Sequence, residues 1–239
     1  YVNFIGRESW VILNPIEQSI KFKIEAKGTP LKDWDIQINY GIKTGYNDAF
    51  IISGTKRDEI LANCKTDDER QCTADLIRPI LRGRDIKRYG YEFADLWLIN
   101  SHNGIKEKGI NPIDINEYPA VKAHLDQYWD KISIRSDKGD TPYNLRNCAY
   151  LEDFYKQKIV WKAVGRNLTF SLLEEGSFIT APASFITSDF NLYILTFLSS
   201  SYGKYYIYNN SDTTGAGDIM LNIQSIEKIP IPVPTNTDK

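Results

Sequence analysis

The amino-acid sequence predicts an α+β fold, in which a mixed or antiparallel β-sheet is flanked by helices. Segments whose apolar residues recur at helical spacing occur alongside segments with strand-like alternation, and no internal repeat interrupts them. Of the 239 residues, 42% are hydrophobic and 25% are charged, so the chain can bury a sizeable core.

The first predicted elements run from a helix into two strands. IEQSIKFKIEAK carries isoleucines at helical spacing, and Gly28 followed by Pro30 predicts its end. Apolar and polar residues alternate over residues 36–40, which predicts a strand. A turn is predicted at residues 41–47 and a second strand at residues 49–52.

The middle of the chain predicts three helices and a buried strand. Short helices are expected in TKRDEILANC and in DDERQCTADLIRPIL, the second ending at Pro79. EFADLWLIN is rich in large apolar and aromatic residues, as buried strands are. Residues 118–134 have apolar side chains at helical spacing, with Pro119 in the first turn, and predict a longer helix.

The last third predicts a run of strands followed by a helix. KIVWKAV, NLTFSLLEE and SFITAPASFITS are expected to be successive strands, the first with Lys158, Val160 and Lys162 on a basic face opposite an apolar one. NLYILTFLSSSYGKYYIYN predicts an apolar helix packed against this sheet. The prolines of SIEKIPIPVP predict an extended end.

Composition excludes several classes of protein. No stretch has the length and apolarity of a membrane span, and no secretion signal is recognisable, so we expect a soluble, cytoplasmic protein. Cys64, Cys72 and Cys148 lack the spacing of a zinc site or a disulfide framework. His102 and His124 also lack ligand spacing and are expected on the surface, so no metal site is predicted.

The segment GIKTGYNDAFII combines a polar turn with an apolar run. It is not a phosphate-binding P-loop, because Ile42 stands where that motif needs a glycine before its Lys-Ser/Thr pair. We expect a turn that presents Lys43, Thr44 and Asn47 at the surface, where they suit phosphates and base edges. Alternatively, Asn47 only closes the turn by bonding its own backbone.

The net charge of the chain is only −2, which argues against an indiscriminate nucleic-acid binder. Two segments are nevertheless basic, RPILRGRDIKRYG and FYKQKIVWKAVGRN. Arginine can grip phosphates or the acceptors of guanine. The alternatives are a solvated turn with salt bridges and an ordinary half-buried strand. The predicted contact residues here are Arg82, Arg84, Lys87, Arg88, Lys162 and Arg166.

The polar segment SIRSDKGDTPYNLRN predicts a loop between two elements. Asparagine can pair with adenine through two hydrogen bonds and arginine can do the same with guanine, so this loop is the preferred site of base readout. Its predicted contact residues are Arg135, Tyr143, Asn144 and Arg146. The alternative is a flexible connector.

Six blocks occur in an order that resembles the TaqI-like C-terminal specificity domain, the target-recognition domain of restriction-modification enzymes fused to an adenine methyltransferase. The blocks are KIEAKGTPLKDW, GIKTGYNDAFII, RPILRGRDIKRYGYEFADLWLI, YPAVKAHLDQYWDKISIR, YNLRNCAYLEDFYKQKIVW and IEKIPIPVP. The resemblance covers nearly all of residues 16–234.

This resemblance implies that the chain recognises double-stranded DNA and positions it for flipping and methylation of a base by an upstream domain. Residues 1–30 would then be a helical connector from a missing catalytic domain, and residues 31–239 the target-recognition domain. The family's Asn-Pro-Pro-Tyr motif is represented only by Asn14-Pro15-Ile16, so S-adenosylmethionine is expected in the parent enzyme and no cofactor or catalytic residue in this fragment.

Two other functions are compatible with the residues. The tyrosines of YGKYYIY, at residues 202–208, could form a carbohydrate- or protein-binding platform. The acidic clusters at residues 67–69 and 174–175 could act as paired carboxylates of a hydrolase, although acids at a helix start or a turn have a structural explanation.

Overall fold

The computed structural model describes residues 13–234 and has the α+β architecture that the sequence predicts. The helices are α1 (Pro15–Lys27), α2 (Asn47–Phe50), α3 (Gly54–Ala62), α4 (Asp67–Leu76), α5 (Pro119–Asp126), α6 (Trp129–Ile132), α7 (Asn191–Ser199), α8 (Ser201–Asn210) and α9 (Ile223–Glu227). The longer strands are β2 (Gln37–Tyr40), β3 (Ile51–Ser53), β4 (Ile77–Leu81), β7 (Leu96–Ile99), β8 (Lys158–Trp161), β10 (Phe170–Leu173) and β12 (Ser184–Thr187). Two-residue strands are β1 (Thr29–Pro30), β5 (Ile86–Lys87), β6 (Gly90–Tyr91), β9 (Val164–Gly165), β11 (Phe178–Ile179), β13 (Ile219–Met220) and β14 (Pro230–Ile231).

Two four-stranded sheets organise the molecule. Sheet A has the order β10–β8–β12–β2 and is antiparallel throughout. Sheet B has the order β11–β4–β7–β3, with β11 parallel to β4 and the other pairs antiparallel. The prediction of a mixed or antiparallel sheet is therefore confirmed, because sheet B is mixed and sheet A is antiparallel. The sequence did not show that the strands divide between two sheets.

Sheet A lies between two hydrophobic cores. Val160 and Phe185 point into the core that sheet B shares, whereas Ile159, Trp161 and Ile186 point into the core formed with α7 and the C-terminal segment. Both faces of the sheet are thus covered by hydrophobic cores. The prediction that one face of β8 is basic and open to solvent is wrong. All four residues of β8 are buried.

Lys158 shows the consequence of this two-sided burial. Its side chain is fully buried, and its Nζ donates to the carbonyl oxygens of Glu174 at 3.4 Å and Ser177 at 3.2 Å. Burial disfavours the ammonium ion and lowers the pKa of Lys158 to about 8.

The segment 36–52 does not form the predicted strand–turn–strand unit within one sheet. β2 belongs to sheet A and β3 to sheet B, and the single turn of α2 redirects the chain between them. Phe50 and Ile52 are buried and anchor this crossing in the shared core.

Two predicted helices have different bounds. The second short helix stops at Leu76 rather than Pro79, and the following residues form β4 between β7 and β11. The residue before a proline is disfavoured in helical conformation, so the chain extends before Pro79. The segment 118–134 is split into α5 and α6, because Tyr128 leaves the helical conformation and packs its ring 6.1 Å from that of Tyr46.

His124 is buried rather than on the surface. Its Nε2 lies 3.0 Å from the carbonyl oxygen of Ala49, and burial lowers its pKa. His102 is half-buried, and its Nδ1 accepts a hydrogen bond from the N–H of Gly104 at 3.1 Å. Burial lowers the pKa of His102 as well.

The two ends of the described chain meet. β1 pairs with β14, and Ile24 of α1 is buried in the same core as Ile231. Residues 1–12 of the predicted connector lie outside the described residues. The predicted apolar helix after residue 190 is split at Ser200 into α7 and α8, and α7 packs against β10 and β8. Among residues 13–234, none of the helices has the length and apolarity needed to cross a membrane.

Candidate nucleic-acid interface

One end of sheet A brings together residues that are far apart in sequence. In the strand register, Ser184 lies opposite both Tyr40 and Trp161, so β2 and β8 end where β12 begins. The residues that leave the sheet there include Lys43 and Lys162. We call this end of the molecule the basic end.

Sheet B delivers the first basic segment to the same place. β4 and β11 run in parallel, and the N–H of Thr180 donates to the carbonyl of Leu81 at 2.9 Å. The next residues after β4 are Arg82 and Gly83. A Cβ atom on Gly83 would lie 3.4 Å from the Cβ of Lys162, so the two predicted basic segments are in contact.

A cavity of about 810 Å³ opens at the basic end. Aromatic rings, amides and cations line it, which is the mixture of side chains that can stack on bases and form hydrogen bonds with their edges. The lining side chains with that chemistry are Tyr40, Lys43, Tyr46, Asn47, Arg146, Asn147 and Tyr150.

Three of these lining residues were missed by sequence reasoning. Tyr40 closes a predicted strand, Asn147 is the last residue of the predicted readout loop, and Tyr150 follows that loop. Nothing in the spacing of these residues marks them, because only the packing of the loop against the end of β2 brings them to one cavity. A search of the sequence for aromatic rings and amides could have listed them, because two are tyrosines and one is an asparagine.

Arg135 is the structural support of this loop rather than a free contact residue. It is buried, and its guanidinium donates to the carbonyl oxygens of Thr44, Asp137, Pro142 and Asn144. It also lies 4.4 Å from the centre of the Phe50 ring. Burial lowers its pKa to about 10, still far above neutral pH, so a charged fork holds the loop from inside.

Asn144 and Thr44 are also turned inward. The Asn144 amide donates to the carbonyls of Ile113 at 2.9 Å and His102 at 3.3 Å. Thr44 is buried and its hydroxyl donates to Oδ1 of Asn47 at 2.6 Å. The prediction that Arg135, Asn144 and Thr44 lie at the surface is therefore wrong. Their polar groups form hydrogen bonds inside the protein instead.

Tyr143 is half-buried and already engaged. Its hydroxyl donates to Oδ1 of Asp126 at 2.5 Å, and its ring packs against Trp129 at 5.5 Å. The Nζ of Lys122 lies 5.2 Å from the ring centre. These contacts join the loop to α5 and α6, outside the cavity lining.

Arg82 is held by an acid in its own loop. Its guanidinium forms two hydrogen bonds with Asp85, at 2.9 and 2.8 Å. Burial of the Asp85 carboxylate opposes its ionisation, but hydrogen bonds from Arg82 outweigh this effect and lower the pKa of Asp85. The hydrogen bond with Asp85 raises the pKa of Arg82. This pair fixes the start of the basic segment.

The remaining predicted cations are accessible. Lys162 is half-buried beside Gly83 and Gly165, and the others are exposed. Surface carboxylates accompany some of them, at 3.2 to 3.5 Å, but exposed ion pairs of this kind are weak and exchange readily for phosphate. The exposed cations are Lys43, Arg84, Lys87, Arg88, Arg146 and Arg166.

The opposite end of sheet A has the opposite charge. Acids precede β2 and follow β12 and β10, namely Asp35, Asp189, Glu174 and Glu175. Lys156 lies at this end, but it is paired with Asp153 at 2.8 Å. We call this the acidic end.

The sequence from residue 78 to 231 matches the family of the TaqI-like C-terminal specificity domain. The chain belongs to this family. The match covers most of sheet A, both basic segments and the loop held by Arg135, and it confirms the resemblance seen in the sequence. A domain of this family has the role of recognising the DNA target. No curated protein sequence matches the chain.

Two solved structures share the fold of this specificity domain. The type IIG restriction endonuclease BpuSI is 16% identical with a TM-score of 0.54, and the alignment covers 93% of this chain and 26% of that one. The type IIL restriction-modification enzyme MmeI, solved in complex with DNA, is 12% identical with a TM-score of 0.54, covering 89% and 25%. The chain therefore spans about a quarter of the length of these enzymes.

Proposed function

We propose that the basic end of this specificity domain binds duplex DNA and reads its sequence. The observation that carries the proposal is that Lys43, Lys162 and the segment after β4 meet at one end of the molecule, where Lys43 also lines the cavity, although they lie on separate stretches of the chain. A cluster of exposed cations on one end of an otherwise near-neutral protein is the electrostatic footprint of a DNA-binding surface.

The side chains at the basic end divide into two chemical groups. Lys43, the half-buried Lys162 and the exposed cations other than Arg146 suit phosphates, which fix the register of the protein on the duplex without reading its sequence. In the cavity, the amide of Asn47 suits adenine and the guanidinium of Arg146 suits guanine. We assign direct base readout to this second group.

We further propose that the catalytic step belongs to another part of a longer protein, as the quarter-length match to BpuSI and MmeI supports. In this proposal the specificity domain orients the duplex while an upstream adenine methyltransferase domain, with bound S-adenosylmethionine, receives a flipped base. The described residues do not fit this cofactor themselves. β4 and β11 are a parallel pair, but the chain between them contains no glycine-rich turn that leads from a strand into a helix, which such a binding site needs.

The tyrosine platform is not favoured by the structure. In the segment 202–208, the hydroxyls of Tyr202 and Tyr206 bond to the carbonyl of Pro230 and the carboxylate of Glu25. These rings pack between α8 and the ends of the chain, and both tyrosines belong to the core of α7 and α8 or its border. They serve stability rather than ligand stacking.

The proposal is tested by fluorescence anisotropy with duplex DNA over a range of salt concentrations. We expect affinity to fall steeply with salt in the wild type. In the double variant Lys43→Ala/Lys162→Ala, the slope of log affinity against log salt should decrease by about 2, since each lost phosphate contact removes about 0.9. Selection of binding sites from random duplexes should return a defined sequence.

The matched control is Lys156→Ala, which removes one lysine from the acidic end of the same sheet. Its salt slope should equal that of the wild type. An equal loss of DNA affinity in the control and in the double variant would contradict the assignment of the interface to the basic end. Selection that returns no sequence would contradict base readout.

A further inference from the structure

The hairpin β5–β6 carries an exposed tyrosine at its tip, in a backbone conformation that does not suit tyrosine. Lys87 pairs with Gly90, so Arg88 and Tyr89 form a two-residue turn. Tyr89 has φ of 67°, in the left-handed region that glycine and asparagine adopt more readily. A residue of either type would fit this turn with less strain.

The ring of Tyr89 is presented to solvent and not to a core. Tyr89 is 66% exposed, and the guanidinium of Arg88 lies 4.8 Å from its ring centre. The guanidinium therefore lies against the ring as a cation–π contact, while most of the tyrosine stays open to solvent.

The hairpin is anchored to the rest of the fold by a buried side chain and by backbone hydrogen bonds. Ile86 is buried in the shared core, and the N–H of Tyr89 donates to the carbonyl of Phe170 at 3.3 Å. The N–H of Glu92 donates to the carbonyl of Asp85 at 2.9 Å, next to the Arg82–Asp85 pair. Phe170 lies opposite Trp161, so this hairpin stands at the basic end.

We propose that Tyr89 is a stacking residue that packs on a nucleobase where the duplex is unstacked or unpaired. The exposed cations of the same segment, Arg84, Lys87 and Arg88, would neutralise the phosphates that flank the step. An aromatic ring in a segment with cations is suited to this role, because every base has a π-face and stacking needs no particular sequence. The inference rests on the proposed DNA-binding function and adds to it a positioning residue outside the cavity.

The experiment compares a fully paired duplex with the same duplex carrying one unpaired 2-aminopurine. We expect the wild type to bind the second DNA roughly tenfold more tightly, the size of one base–aromatic stack, and to quench the fluorescence of the 2-aminopurine. Tyr89→Phe keeps the ring and should keep both effects. Tyr89→Asn should bind both DNAs with the wild-type affinity for the paired duplex.

The thermal stability of Tyr89→Asn separates stacking from a structural role. Because asparagine tolerates positive φ better than tyrosine, this variant should have a higher Tm than the wild type while losing the preference for unpaired DNA. A structural role for Tyr89 would instead give a lower Tm. The control is Tyr155→Ala, which removes a tyrosine of 42% exposure next to Lys156 at the acidic end. The Tyr155 hydroxyl accepts a hydrogen bond from Asn100 and its ring packs on Phe178, so this variant should have a lower Tm and keep the preference.

Several results would overturn the proposal. They are a wild type without preference between the two DNAs, a Tyr89→Asn variant that keeps the preference, or one that loses affinity for both DNAs equally. If the wild type binds the paired duplex with the expected salt dependence in these cases, the proposed function stands and only the role of Tyr89 fails. If the wild type binds neither DNA, both proposals fail.

Discussion

The two ends of sheet A are built from the same strands and differ in what surrounds their charges. At the basic end cations lie at the surface, and two of them, Lys43 and Arg146, line a cavity. At the acidic end carboxylates lie at the surface instead. Each end also has a buried cation bonded to backbone carbonyls, Arg135 behind the cavity wall and Lys158 near the start of β8. The comparison teaches that burial, not sequence neighbourhood, decides whether a cation meets a ligand or supports the fold.

The largest effect is expected from removing the internal support of the basic end. Arg135→Ala leaves the carbonyls of Thr44, Asp137, Pro142 and Asn144 without their donor in the interior. We expect the free energy of unfolding to fall by about 3 to 5 kcal/mol, because unsatisfied buried groups and a lost buried charge are among the costliest changes. Urea-induced unfolding measures it.

Arg146→Ala is the matched control for Arg135, since it removes an exposed arginine from the same loop. Its ion pair with Asp137 is solvent-exposed, so stability should change by no more than about 0.5 kcal/mol. If both variants lose the same stability, Arg135 does not support the loop in the way its contacts indicate.

The second prediction concerns the buried cation of the acidic end. The pKa of Lys158 is lowered to about 8 in the folded protein, from an ordinary value of 10.5. Between these two values the unfolded chain binds more protons than the folded one at this residue. The contribution of Lys158 to stability therefore rises with pH across this window, and its penalty is fully present below pH 8.

The variant Lys158→Met isolates this contribution, because other titrating groups are common to both proteins. The free energy of unfolding of the wild type minus that of the variant should increase by about 3 kcal/mol between pH 7 and pH 10.5, since each pKa unit corresponds to about 1.4 kcal/mol. Urea unfolding of both proteins at several pH values measures the difference. A difference that stays constant with pH would show that Lys158 is not desolvated.

The smallest effect is expected in the polar turn that begins the basic end. Asn47 is exposed toward the cavity, yet its Oδ1 accepts the hydrogen bond of the buried Thr44 hydroxyl. Asn47→Ala should therefore cost about 1 kcal/mol of stability, the worth of one hydrogen bond, and also weaken DNA discrimination.

Asn47→Asp separates the two roles of this residue. The carboxylate keeps an acceptor for Thr44, so the Tm should change little, while its negative charge next to phosphates should lower DNA affinity. A variant that loses stability but binds DNA as the wild type does would leave Asn47 with only its turn-closing role and remove it from the readout group.

Local chemistry made part of this structure predictable. Helix α3, the strand β7 and the end of α1 at Gly28 follow from spacing, composition and a stop signal within a few residues. The single-turn helix α2 and the break between α5 and α6 do not follow from local signals. Phe50 of α2 packs into a core built from distant segments, and Tyr128 at the break packs against Tyr46. The exposed cations Lys43 and Arg84 were predicted correctly as surface residues, whereas Arg135 was not.

By itself, the sequence determined the residue types available for binding DNA and the order of blocks that marks the specificity-domain family. Only the tertiary structure decided which of those residues share a surface. Strand register joins Tyr40, Trp161 and Ser184, and the parallel pair β4–β11 adds Arg82. Such pairings join residues that lie from 23 positions apart, for Trp161 and Ser184, to 144 positions apart, for Tyr40 and Ser184. Contacts of this kind also cover both faces of β8 and bury Lys158.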